Sequence, residues 1–174
     1  KTSSPVRAAW LAGKADKPSH GLKVEGPTDL LAFHTAAGDR SADVLIFSTA
    51  SGAGQFNAWH AKLYEGLERT IVVGDHDRAG QAGVQKAAGS IANFVPEVVS
   101  VTPFVGEVVA AKHGKDLRDY FAAGRTSDDF YALQPSEKYA AVPFDTSGQV
   151  DDPQPEKRKL AELPEVELDV DEHR

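Results

Sequence analysis

Four acidic residues carry the chemistry this sequence offers. Glu25 follows the apolar run Leu22-Lys23-Val24. Asp75 and Asp77 follow Thr70-Ile71-Val72-Val73, and Asp116 comes after Val98-Val99-Ser100-Val101 and a loop. Ionised carboxylates brought together repel one another, and a cation removes that penalty. Mg²⁺ is the natural choice, because it takes oxygen ligands, keeps several waters, and is often held by one or two carboxylates plus a substrate phosphate. Asp75 and Asp77 are spaced i, i+2, so an extended chain points them the same way. Asp-x-Asp alone is common in turns and helix caps. The order strand–Glu-Gly, glycine-rich strand end, strand–Asp-x-Asp, helix is far more specific.

For these acids to meet, the apolar runs must be neighbouring strands of one sheet. Leu22-Lys23-Val24, Val44-Leu45-Ile46-Phe47, Thr70-Ile71-Val72-Val73 and Val98-Val99-Ser100-Val101 read as strands. Between them lie helical patterns. Pro27 suits a first helical turn and Gly38 a stop. Phe56, Trp59, Leu63 and Leu67 recur at helical spacing, ahead of a small-residue helix over 79–94 with Val84, Ala87, Ala88 and Ile91 inward. Leu117, Tyr120 and Phe121 form a last short helix before Gly124. Continuously apolar strands alternating with helices predict an α/β fold. The expected architecture is a compact Rossmann-like domain with a roughly four-stranded parallel sheet flanked by helices. Ligands of such sheets bind outside the carboxyl ends of the strands, where all four acids fall. The helix starting near Ala79 would aim its N-terminus at the same rim, a favourable place for phosphate.

Composition narrows the classes. The chain has 174 residues, 41% hydrophobic and 26% charged, with formal net charge −7 and neither Cys nor Met. Without Cys there is no disulfide scaffold, thiol nucleophile or Cys-based zinc ribbon within it. No run is long and apolar enough to span a membrane, and no signal-peptide pattern opens the chain, so a cytoplasmic setting is expected. Lys1 in place of Met reads as a piece of a longer protein. The charge is uneven: residues 151–174 hold nine acids against four bases, a net of −5, leaving −2 for residues 1–150. We therefore expect an extension or linker over 1–19, the domain over 20–125 and a helical or irregular extension over 126–150. Thr126 or Ser127 would cap a helix there, with Asp128 and Asp129 at its positive end. An acidic, Pro-containing tail or linker covers 151–174, with 163–170 able to form an edge strand.

Two stretches carry a family resemblance. Lys23-Val24-Glu25-Gly26-Pro27-Thr28-Asp29 and Val72-Val73-Gly74-Asp75-His76-Asp77-Arg78-Ala79-Gly80 together resemble the TOPRIM domain, most of all in DnaG-type and phage-type primases. Gly114-Lys115-Asp116-Leu117-Arg118-Asp119-Tyr120 is similar to the Lys-Asp-x-x-Asp-Tyr segment of mobile-element primases. The resemblance covers about residues 20–125. It implies the TOPRIM module of a DNA primase or primase–helicase, making primers on single-stranded DNA by metal-dependent nucleotidyl transfer. Single-stranded DNA and nucleotides would be its substrates, Mg²⁺ or Mn²⁺ its cofactor, and a zinc ribbon and a helicase its companion domains. Carried over by residue, Glu25 would bind metal and act as general acid or base, and Asp75 and Asp77 would be the metal pair. Asp116 matches a later acid. Gly52 and Gly54 lie where the family has a glycine turn, and Lys23, Arg78 and Lys115 would contact phosphate or nucleic acid. Two cations would activate the attacking hydroxyl and neutralise the pentavalent phosphate.

There are departures and alternatives. His76 stands where cellular primases usually have Gly, and is expected to face solvent. Pro27-Thr28 replaces a bulky pair. A TOPRIM nuclease of the overcoming-lysogenisation type would use similar acids, and a non-catalytic nucleic-acid or partner-binding module remains a third reading. Other constellations are weaker. His34, His60 and His113 lack metal-ligand spacing. Ser48, Thr49 and Ser51 form no nucleophile elbow. Trp10 and Trp59 read as packing residues, and Tyr64, Tyr120, Tyr131 and Tyr139 as helix residues.

Overall fold

The structure, a computed structural model, describes residues 18–38, 44–49 and 56–141. The expectations for residues 1–19, Trp10 included, fall almost wholly outside that set. So do those for Gly52 and Gly54 and for the tail over 151–174. The elements run β1 (His20–Lys23), α1 (Pro27–Ala37), β2 (Val44–Phe47), α2 (Ala58–Lys62), β3 (Arg69–Val72), α3 (Arg78–Ile91) and β4 (Glu97–Val101). Then follow α4 (Leu117–Ala122), α5 (Ser127–Tyr131) and β5 (Pro135–Tyr139). The sheet order is β2-β1-β3-β4-β5. The first four strands are parallel and β5 is antiparallel to β4.

Chain direction explains the layers. From β1 the chain moves to β2 on one side, then returns past β1 to β3 on the other. Crossovers between parallel strands are right-handed, so this reversal places α1 on one face and α2 and α3 on the opposite face. Two cores result. Leu22, Val24 and Val73 pack with Leu30 and Phe33 of α1, Leu117 and Tyr120 of α4 and Phe130 of α5. Phe47, Phe56, Tyr64, Val72 and Val98 pack with Ala87, Ala88 and Ile91 of α3 on the other side. Strand alternation does the sorting, since successive side chains point to opposite faces.

Three local readings are corrected. The helix expected through Leu67 is only Ala58–Lys62, capped by the Asn57 side chain. Phe56 and Leu67 are buried beside it, but Trp59 and Leu63 are each 42% exposed, and His60, Ala61 and Tyr64 turn inward instead. A helix of little more than one turn does not sustain a three-and-four repeat. The sheet gains β5, from the stretch expected to be helical or irregular. Pro-Ser-Glu-Lys-Tyr is almost wholly exposed, and Pro at the first position of an edge strand costs no ladder bond. Tyr139 is therefore a strand residue, and its hydroxyl donates to Glu137 Oε2 at 3.0 Å. The cap expected near 126 is Thr126, whose hydroxyl accepts from the Asp129 N–H at 3.1 Å.

Phe33 joins three helices. It is fully buried, and its ring meets Phe121, Phe130 and Tyr131 edge-on at 6.2, 5.4 and 5.9 Å between centroids. Phe33→Ala is expected to cost about 3–5 kcal/mol, read as a lower urea midpoint with the fold retained.

Candidate metal centre

The reversal of chain direction at β1 makes the carboxyl ends of β1 and β3 the switch point of the sheet. The ladder continues there, with the Val73 N–H donating to the Lys23 carbonyl at 2.9 Å. Two residues further on, the Asp75 N–H donates to Glu25 Oε2 at 3.1 Å. A third acid joins them from the first turn of α1. Asp29 Oδ2 accepts the Gly26 N–H at 3.0 Å, while its Oδ1 is buried with no partner among the described residues. Glu25, Asp29 and Asp75 line one narrow cleft with Val24, Val73, Gly74 and Leu117.

Crowding shows in the proton affinities. The Asp75 carboxyl is pushed up to about 7, first by burial and then by the charges of Glu25, Asp29, Asp116 and Asp77. Asp29 is also raised, chiefly by burial, against the Gly26 N–H that it accepts. Lys23 does not line this cleft: it is 3% exposed, and its Nζ lies 5.7 Å from the centroid of Phe56, in the core on the other face of the sheet. Burial pulls its ammonium down to about 8, although Glu25, Asp29 and Asp75 favour the charged form.

The four acids expected to bind metal divide two and two. Glu25 and Asp75 face one another across the switch point. Asp77 does not line the cleft that Glu25 and Asp75 share. Asp77 is the N-cap of α3: its Oδ1 accepts from Gly80 N–H at 2.8 Å and its Oδ2 from Gly114 N–H at 3.1 Å. The Gly80 N–H is the largest reason its carboxyl titrates below the usual range. Asp116 caps α4, accepting the N–H groups of Arg118 at 2.8 Å and Asp119 at 3.2 Å, and pairs with the Arg118 guanidinium. Burial pushes Asp116 upward, and the Arg118 and backbone hydrogen bonds outweigh it.

His76 is corrected: it faces neither solvent nor the cleft mouth. It is 7% exposed, lies against Phe104, and has Nε2 3.2 Å from the Glu107 carbonyl. Its backbone ties segment 102–116 to the strand end. The His76 N–H donates to Lys115 O at 2.7 Å, and the Ala110 N–H to His76 O at 3.1 Å. Of the three expected basic contacts, Arg78 and Lys115 are exposed near this rim, and Lys115 pairs with Glu107 at 2.7 Å. Lys23 is buried. Two glycines permit the close approach. A Cβ on Gly80 would overlap the Asp75 backbone, and one on Gly114 the His76 carbonyl.

Does this donor set suit a divalent cation? Among the described residues no three His, Cys, Asp or Glu side chains are arranged to hold an ion. Glu25 and Asp75 supply two hard oxygen donors, which is the complement for Mg²⁺ with waters and a phosphate completing its shell. Burial and the neighbouring acids raise Asp75, and Asp29 Oδ1 beside it accepts no hydrogen bond among the described residues. Asp29 was absent from the sequence-based site. Its signal is an acid in the first helical turn, four residues after Glu25.

Comparison with known proteins agrees with this fold. A family model described as Toprim-like matches residues 23–121, more than half of the chain. The fold is similar to the zinc-binding and RNA polymerase domains of the Aquifex aeolicus primase, at 17% identity and TM-score 0.51. That match covers 67% of this chain and 26% of that one. The primase fragment of the bacteriophage T7 primase-helicase aligns at 20% identity and TM-score 0.45, covering 63% of this chain and 41% of that one. The chain thus spans well under half of the length of either. No curated protein matches it in sequence.

Two outcomes test the site's physics. Asp75 holds its proton in the folded chain up to about pH 7 but loses it near 3.8 when unfolded. The folded state then binds more protons between those values, so stability falls as pH rises through that window. Lys23 acts only above about pH 8. Metal-free urea midpoints should therefore drop from about pH 5 to about pH 7.5, and Asp75→Asn should flatten the slope. Separately, Gly80→Ala is expected to cost about 1–3 kcal/mol through overpacking against backbone, measured by the same midpoints.

Proposed function

The chain belongs to the Toprim-like family, and from that premise we propose that it is the TOPRIM module of a DNA primase or primase–helicase. It would make primers on single-stranded DNA by nucleotidyl transfer, beside zinc-ribbon and helicase domains of a longer protein. The observation that carries this reading is Glu25 against Asp75 at the β1/β3 switch point, with Asp75 pushed up to about 7 by burial and then by the neighbouring acids. Glu25 and Asp75 hold a divalent cation, Mg²⁺ or Mn²⁺, and Glu25 also takes or returns the proton of the attacking hydroxyl. When bound, the cation supplies Lewis acidity toward phosphate oxygen. Asp77 fixes α3 and segment 102–116 beside the pair rather than acting as an equal ligand. Arg78 and Lys115, exposed on the same rim, meet the phosphates of nucleotide or strand. Asp116 orients Arg118 toward the same end of the sheet. The Ala79-Gly80 helix start and the Lys115–Tyr120 segment favour a primase over a nuclease.

The test uses the full-length parent with Mg²⁺ or Mn²⁺, single-stranded DNA and nucleotides. Oligonucleotide synthesis is expected to fall about a hundredfold or more in Glu25→Gln, the size of a lost acid–base group, and at least as far in Asp75→Asn. Cleavage without synthesis would identify a nuclease instead. Wild-type behaviour in both variants would end both enzymatic readings.

A further inference from the structure

Helix α1 turns two different faces to its surroundings. Leu30, Phe33 and Ala37 enter the core. Thr28, Leu31 and Thr35, spaced three and four residues apart, share the outward face. Leu31 is left 59% exposed there. An outward helix face normally carries charge, and none stands at these positions. Against this face lie α4 and the chain beyond it, and between them runs an open groove of about 590 Å³. Its other wall presents Arg118, Phe121 and Arg125, and among the described residues no carboxylate lines it. Asp116 accepts from Nε and Nη2 of Arg118, which steadies a side chain that is still 59% exposed. Arg125 is exposed, one residue past Gly124. Phe121 meets Phe33 edge-on at 6.2 Å, so the wall is fixed to the core. One end of the groove adjoins the acid cleft. Thr28 precedes Asp29 and Arg118 follows Leu117, and Asp29 and Leu117 both line that cleft.

We propose that the groove between α1 and α4 is a track for single-stranded nucleic acid, separate from the phosphate contacts at Arg78 and Lys115. Arg118 and Arg125 take backbone phosphates, whose oxygens match the guanidinium fork. The hydroxyls of Thr28 and Thr35 donate to the same backbone. Leu31 and Phe121 meet sugar and base, contacts that tolerate any sequence. From Thr28 to Thr35 the helix runs about 10 Å at 1.5 Å per residue, so the track holds a short stretch of strand and leads it to the cleft. An acidic helical peptide would also satisfy two arginines and an apolar wall. The opening onto the cleft favours a strand. The inference rests on the reading that the cleft carries out phosphoryl transfer on nucleic acid.

The experiment measures binding of a fluorescently labelled single-stranded oligothymidylate to this chain, by anisotropy in chelator at several salt concentrations. It compares wild type, Leu31→Glu, Leu31→Lys, Arg125→Gln and Lys62→Gln, with urea midpoints to show that each is folded. Leu31→Glu should weaken binding about tenfold or more, because it sets a carboxylate against phosphate. Leu31→Lys should tighten it, a gain that damage to the fold would not give. Arg125→Gln should weaken it and lower the slope of log affinity against log salt by about 0.7, the value for one phosphate contact on a single strand. Lys62→Gln loses the same charge from α2 on the opposite face, and should stay within about twofold of wild type, since salt screens a distant charge. Leu31→Glu and Arg125→Gln that bind no worse than Lys62→Gln overturn the inference. So does a wild type that binds no strand at low salt. Groove variants that lose an acidic amphipathic peptide but keep the oligonucleotide would give the groove to a protein partner, and overturn it too. Primer synthesis by the full-length parent keeps the two readings apart. Synthesis lost in Glu25→Gln, with strand binding unchanged in the groove variants, overturns the track alone. Strand binding lost in the groove variants, with synthesis intact in Glu25→Gln, upholds the track and overturns the catalytic role of the cleft.

Discussion

Like charges confined at the end of two adjacent parallel strands are the constraint around which this domain is arranged. The reversal at β1 makes β1 and β3 neighbours, so the residues leaving them are neighbours too, and Glu25 and Asp75 are both acids. The surroundings answer the repulsion in separate ways. Asp29, Asp77 and Asp116 sit in or before the first turns of α1, α3 and α4, where backbone N–H groups accept negative charge well. Arg118 neutralises Asp116. What remains undercompensated is Asp75 facing Glu25, with the free oxygen of Asp29 beside them.

Helix capping and cation binding draw on the same residue type without competing. A cap acid must point along its own helix, as Asp77 does toward Gly80. An acid serving the cleft must point across the strand gap, as Glu25 does toward the Asp75 N–H. The caps make the cleft rigid in turn. Asp77 bonds α3 with one oxygen and segment 102–116 with the other. Gly80 and Gly114 let both elements approach to backbone contact. The backbone of Asp75 is therefore packed against Gly80, and that of His76 against Gly114.

Much of this was legible in the amino-acid sequence, for definite reasons. Four apolar runs buried on both faces announce themselves, and β2 falls on Val44–Phe47 as read. The small-residue face of α3 and the cap at Thr126 followed from spacing and residue type. The acids were found because strand ends are where parallel sheets bind. The failures share another cause: their outcome depends on neighbours distant in sequence. β5 is a polar edge held by β4, and nothing in Pro-Ser-Glu-Lys-Tyr announces that partner. Trp59 was read inward from spacing alone, but α2 is too short to keep the phase. The direction of Asp77 was decided by Gly114, 37 residues away, and His76 was buried by Phe104 from the same distant segment. Asp29 was overlooked because an acid in a first helical turn is ordinary by local rules. Only its burial beside Glu25 and Asp75 gives it another meaning.

The formal charge of −7 overstates what an approaching phosphate would meet. Five of those charges belong to residues 151–174. Near neutral pH a proton shares Asp75, because the folded chain holds it up to about 7. Asp77 and Asp116 spend their charge on helix ends and on Arg118. A divalent cation held as proposed by Glu25 and Asp75 would compete with that proton for the same carboxylate, and its binding would release the proton. The apparent affinity would then rise with pH until Asp75 is ionised, and flatten above that. Without a cation, that proton lowers the repulsion between Asp75 and its acidic neighbours.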